Sequence, residues 1–84
     1  MDYDLYFSIA EKEKIETKKT LGEELKISRT NCKMTQEFVA ESLGVSRQAV
    51  SKWENGTSEP STSNLIALAN LYGVSVEEIL DKSK

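Results

Sequence analysis

The side chains able to do chemistry in this 84-residue chain are few, and their types narrow the options at once. Histidine is absent and Cys32 is the only cysteine. The usual tetrahedral zinc site therefore lacks its ligands, and an intrachain disulfide cannot form. Glu77 and Glu78 suit a helix start, where negative charge is favourable, and no carboxylate pair is placed for acid–base work. Neither an enzyme activity nor a metal or cofactor is expected. What stands out is a run of hydrogen-bonding side chains: Ser46, Arg47, Gln48, Ser51 and Lys52. A guanidinium can donate two hydrogen bonds to guanine O6 and N7, and a carboxamide can pair with adenine N6 and N7. Arg47 and Gln48 are thus candidate base-reading residues. Alone, they are also what an ordinary exposed helix start carries, so their meaning depends on the elements that hold them.

Those elements are helices. No segment alternates apolar and polar residues long enough to favour a strand. Five helix starts follow from capping chemistry. Thr20 with Glu23, and Ser75 with Glu78, have the capping-box spacing, while Thr35, Ser46 and Ser61 each precede an apolar-periodic run. Met34 with Val39, Val45 with Val50, and Val74 with Ile79 are spaced as hydrophobic staples around three of these caps. Gly44, Gly56 and Gly73 follow the runs, where a left-handed residue closes a helix. Helices are expected near 20–31, 35–43, 46–55, 61–72 and 75–82.

Residues 35–56 then read as two short helices around a tight turn. Ala40 sits where the two helices must approach closely, and Gly44 supplies the positive φ of the turn. Val45, Val50 and Trp53 face back toward Leu43 and either Phe38 or Val39. Trp53 is expected in the core rather than stacked on a base, and Tyr72 and Leu71 are also expected to be core. Arg47, Gln48, Ser51 and Lys52 are left facing outward, with Arg47 and Gln48 in the first turn, the part of a recognition helix that meets base edges.

The stretches Met34-Thr-Gln-Glu37, Leu43-Gly-Val-Ser-Arg-Gln-Ala-Val-Ser-Lys-Trp-Glu-Asn-Gly56 and Asn64-Leu-Ile-Ala-Leu-Ala69 resemble the Cro/phage-repressor type of helix-turn-helix regulator, the XRE family. The resemblance covers residues 20–81 and implies an all-α, five-helix, lambda-repressor-like DNA-binding domain, with the second and third helices forming the motif. It implies that Gln36 contacts a DNA phosphate and braces the recognition helix. Arg47, Gln48 and Lys52 fall at its base-reading positions, with Ser46 and Ser51 near enough to assist, and Asn55, Thr57 and Ser58 would contact the DNA backbone. Such backbone contacts position a protein without reading sequence. The implied partner is double-stranded DNA, bound by a homodimer as a transcriptional regulator of repressor type. Three residues depart from the pattern. Lys33 stands where the family often has glycine, Ser28 where a core leucine is common, and Glu59 puts an acid in a loop that is often basic.

Charge bears on the partner. The net charge is −3, yet its distribution is uneven. Residues 29–52 balance to +2 (Arg29, Lys33, Arg47 and Lys52 against Glu37 and Glu41), whereas residues 53–84 balance to −3. A positive face with a negative back is compatible with DNA and predicts weak nonspecific binding. The competing expectation is a protein-interaction module, such as an antitoxin-like or anti-regulator partner, for which acidic or apolar residues would be expected on the third helix in place of Arg47, Gln48 and Lys52. No apolar stretch approaches the roughly 20 residues needed to span a bilayer, and the acidic start lacks the pattern of a signal peptide. A cytoplasmic protein is expected.

Residues 1–19 differ in character, with Tyr3, Leu5, Tyr6, Phe7 and Ile9 followed by a mostly charged run. They form an extension to a domain at 20–84. Nothing in them breaks a helix, so an extra amphipathic helix is expected, the alternative being a frayed arm. The fourth and fifth helices, with or without this extension, are the expected dimer surface.

Overall fold

A hydroxyl begins each helix. The computed structural model describes residues 20–82, and the extra helix expected within 1–19 lies outside them. Five helices occupy the described residues: α1 (Leu21–Asn31), α2 (Gln36–Leu43), α3 (Arg47–Asn55), α4 (Thr62–Tyr72) and α5 (Val76–Lys82). The amides of Glu23, Phe38, Ala49, Asn64 and Glu78 donate to Thr20, Thr35, Ser46, Ser61 and Ser75 respectively, at 3.0–3.2 Å. Both capping boxes close, Thr20 N–H donating to Glu23 at 3.0 Å and Ser75 N–H to Glu78 at 2.9 Å. A cap of this kind contributes about 1 kcal/mol. All five expected starts are present, each helix beginning one residue after its cap.

The first four helices end in one shared device. The amide of Val45 reaches the Ala40 carbonyl (2.9 Å), Thr57 reaches Lys52 (3.0 Å), Val74 reaches Ala69 (3.0 Å) and Met34 reaches Arg29 (3.1 Å). Each bond spans five residues around a left-handed residue, which satisfies a carbonyl that the helix leaves free. Three of those left-handed residues are glycines; the fourth is Lys33, with φ of 59°. The departure noted at position 33 is therefore conformational: lysine holds a backbone geometry that glycine adopts without strain.

The core draws on every helix. Leu25 of α1, Val39 and Ala40 of α2, Val50 and Trp53 of α3, Leu68, Ala69 and Tyr72 of α4, and Ile79 of α5 are buried together. α1 packs on α3 and α5, α2 on α3 and α4, and α4 on α5. Of the two candidates on α2, Val39 is the one enclosed (0% exposed), while Phe38 is half exposed at 49%. Leu71 lies only partly buried beside the core. Ser28, noted above as a departure at a position where leucine is common in the resembled pattern, is buried on α1. No helix among the described residues is long and apolar enough to cross a membrane.

Candidate nucleic-acid interface

The third helix has two unlike sides. Val50, Trp53 and Glu54 are buried. Arg47, Gln48 and Lys52 are exposed, with Ser51 half-buried between them. Ser46, also exposed, uses its Oγ to accept the Ala49 amide, so its hydroxyl proton stays available as a donor. The turn Gly44-Val45-Ser46 sets α3 against α2. Gly44 takes φ of 73°, and nothing lies within 4 Å of where a Cβ would project, so backbone conformation alone selects glycine there. Val45 then packs on the core.

Behind this face lies a buried charge pair. Arg29 of α1 donates to Glu54 of α3 twice, Nε to Oε2 at 2.7 Å and Nη2 to Oε1 at 3.2 Å. The side chains are only 12% and 4% exposed. A bidentate pair of this geometry fixes orientation as well as charge. The hydrogen bond to Glu54 raises the Arg29 pKa above its ordinary value, against the lowering effect of burial. Arg29 Nη1 also donates to the Met34 carbonyl at 2.8 Å, so one guanidinium joins α1, the loop into α2, and α3. Gln36 lies over the pair: its Nε2 donates to Glu54 Oε1 at 3.1 Å, and its Oε1 accepts from Arg47 Nη1 at 3.5 Å.

Spacing alone did not disclose this pair. Arg29 falls four residues after Leu25 and eight after Leu21, on the stripe that α1 turns to the core. A charged residue in that register was the available signal, but its partner lies 25 residues away. The pair also alters the charge balance. Because Arg29 is held by Glu54, the exposed charges of residues 29–52 are Lys33, Arg47 and Lys52 against Glu37 and Glu41, a net of +1 rather than +2.

At the far end of α3, Asn55, Thr57 and Ser58 are exposed. Asn55 Oδ1 accepts from both the amide (2.9 Å) and the hydroxyl of Thr57. A backbone amide can only donate, so the oxygen of the Asn55 carboxamide must face the loop and its NH2 group the solvent. A donor directed outward suits an anionic oxygen. Among the described residues no group of three or more His, Cys, Asp or Glu is placed to hold a metal ion.

Comparison with known proteins adds to this geometry. A family model described as helix-turn-helix matches residues 25–79. The helix-turn-helix-type transcriptional regulator DicA of Escherichia coli is 43% identical over 67 residues, 79% of this chain and 50% of that protein. The chain thus spans about half the length of that relative. An uncharacterised helix-turn-helix-type transcriptional regulator of Methanocaldococcus jannaschii is 40% identical over 55 residues, covering 66% of this chain and 83% of its own. Among solved structures, the P22 c2 repressor in complex with a synthetic operator superposes with a TM-score of 0.69 at 31% identity, over 73% of this chain and 92% of that one.

Proposed function

Because the chain belongs to the helix-turn-helix family of Cro/phage-repressor (XRE) type, we propose that it binds double-stranded DNA sequence-specifically and acts as a transcriptional repressor in the cytoplasm. α3 enters the major groove, which is wide enough to admit a helix. Arg47 and Gln48 read base edges, assisted by Ser46, Ser51 and Lys52. Gln36, Asn55, Thr57 and Ser58 hold the DNA backbone and set the register. One observation carries this reading: α3 buries Val50 and Trp53 while leaving Arg47, Gln48 and Lys52 exposed. The likeness to an operator-bound phage repressor supports repression as the outcome. No catalytic step and no cofactor enters.

A module of this size covers few base pairs, so we assign it a homodimer on a pseudopalindrome. Its half-sites would lie about one helical turn, roughly 34–36 Å, apart. Ile66 of α4, 48% exposed, supports placing the dimer contact on the fourth and fifth helices. Ile66→Lys should then lower the sedimentation coefficient of the DNA-bound species without lowering the melting temperature.

Selection from a random DNA pool with the purified chain is the decisive experiment. The expected product is a single enriched pseudopalindrome, bound more weakly as salt rises because phosphate contacts release counterions. A pool that stays random, with binding indifferent to salt, would leave the DNA reading without support and favour a protein partner instead.

A further inference from the structure

The buried pair and the base-reading residue belong to one hydrogen-bonded chain, and its direction is set from the inside. Glu54, as a carboxylate, can only accept, and Arg47, as a guanidinium, can only donate. Gln36 between them must therefore turn its NH2 group toward Glu54 and its oxygen toward Arg47, as observed. No other orientation of the carboxamide satisfies both neighbours. Arg29 holds the Glu54 carboxylate in place with two hydrogen bonds and anchors itself on the Met34 carbonyl. With Nη1 of Arg47 engaged by Gln36, no other described residue engages the Nε–Nη2 edge of its guanidinium, and that edge carries two parallel N–H groups of the spacing that guanine O6 and N7 accept.

We propose that the buried Arg29–Glu54 pair is a positioning device for DNA reading, acting through Gln36 to orient the guanidinium of Arg47 toward a guanine. This rests on the DNA-binding function proposed above. Arg29 and Glu54 touch no base themselves. Their contribution is to fix which atom of Gln36 meets Arg47, so that the reading edge is already oriented when DNA arrives and less ordering is needed on binding.

The test uses the operator recovered by random-pool selection. The guanine read by Arg47 is the position at which Arg47→Ala loses preference. Wild type should favour guanine there over the other bases by roughly 5- to 150-fold, the range expected for a bidentate contact. Arg29→Met/Glu54→Met replaces both charges with apolar groups of similar length, a change that buried pairs often tolerate. This double variant should stay folded by circular dichroism, keep the salt dependence of binding, and lose most of the guanine preference. Gln36→Leu, which leaves the Arg29–Glu54 pair intact, should lose the same preference. Adding it to the double variant should cost nothing further, because all three residues act along one route. The preference is a ratio of affinities on two DNAs, so any phosphate contact by Gln36 cancels from it, and a purely structural role would leave it unchanged. A folded double variant, or Gln36→Leu if the double variant does not fold, that retains the wild-type guanine preference overturns the positioning role. Wild type showing no preference at any position removes the DNA reading itself, and Arg47→Ala altering no position removes the guanine contact.

Discussion

Gly22 of α1 meets the backbone of Trp53 in α3 so closely that a Cβ at position 22 would stand 2.5 Å from the Trp53 carbonyl oxygen. The Glu54 carbonyl oxygen would lie 2.6 Å away. Glycine inside a helix normally costs about 1 kcal/mol relative to alanine. Here it permits the crossing of α1 and α3 that aligns Arg29 with Glu54. Backbone carbonyls cannot rotate away as a side-chain tip can, so Gly22→Ala should destabilise the domain by about 1–3 kcal/mol despite its better helix propensity. Thermal unfolding followed by circular dichroism would show a lower melting temperature. An unchanged or higher one would mean that the crossing can widen freely.

Position 33 should respond in the opposite direction. Lys33 holds φ of 59° at the end of α1, a conformation costing a non-glycine residue about 1–2 kcal/mol. Glycine relieves that strain but gives more entropy to the unfolded chain. Lys33→Gly should thus raise stability by about 0.5–1 kcal/mol net. Lys33→Asn, which also tolerates the left-handed region, should show a smaller gain. Denaturant titration of the three proteins checks the order, and a destabilised glycine variant would contradict it.

How much was legible in the sequence follows from how far apart the interacting residues lie. Thr20 and Glu23, or Ser75 and Glu78, interact across three residues, so type and spacing sufficed to place every described helix start. Gly44 likewise declares its turn locally. Arg29 and Glu54 are 25 residues apart, and nothing in either neighbourhood names the other. The choice between Phe38 and Val39 as the buried residue of α2 was open because both are apolar and adjacent. Packing against α3 and α4 settles it, and no local preference distinguishes them. Gly22 was visible as the one glycine within an expected helix, but only the crossing with α3 gives its reason.

The phenol of Tyr72 should govern alkaline stability. Its hydroxyl is buried and finds no hydrogen-bond partner among the described residues. Burial first, and the Glu54 carboxylate second, push its pKa well above the ordinary value of 10.0. Below pH of about 10 the phenol is neutral in both folded and unfolded chains, so nothing is lost. As pH rises past the unfolded value, only the unfolded chain gives up the proton readily, and stability falls. Tyr72→Phe removes both the stranded hydroxyl and this titration. It should equal or exceed wild type in melting temperature at pH 7, with an advantage that widens above pH 10. A fixed difference across pH 8 to 11 would show that Tyr72 ionises alike in both states.

Two residues on α3 should separate reading from holding. Gln48 is exposed in the first turn, and no hydrogen bond of the described structure engages its carboxamide, so both ends are free to meet a base edge. Asn55 has its oxygen committed to Thr57 and offers only N–H donors outward. Donors alone match a phosphate, whose oxygens only accept, whereas adenine presents a donor at N6 and an acceptor at N7 and needs both ends of a carboxamide. Gln48→Ala should therefore cost about 1–3 kcal/mol on the preferred site and relax the choice at one base pair. Asn55→Ala should weaken binding to preferred and scrambled DNA by the same factor, leaving the ratio between them intact. Titrations of both variants on both DNAs at one fixed salt concentration decide it. If the two variants lower the ratio equally, or Gln48→Ala leaves it unchanged, the division of labour between the first turn of α3 and its last is wrong.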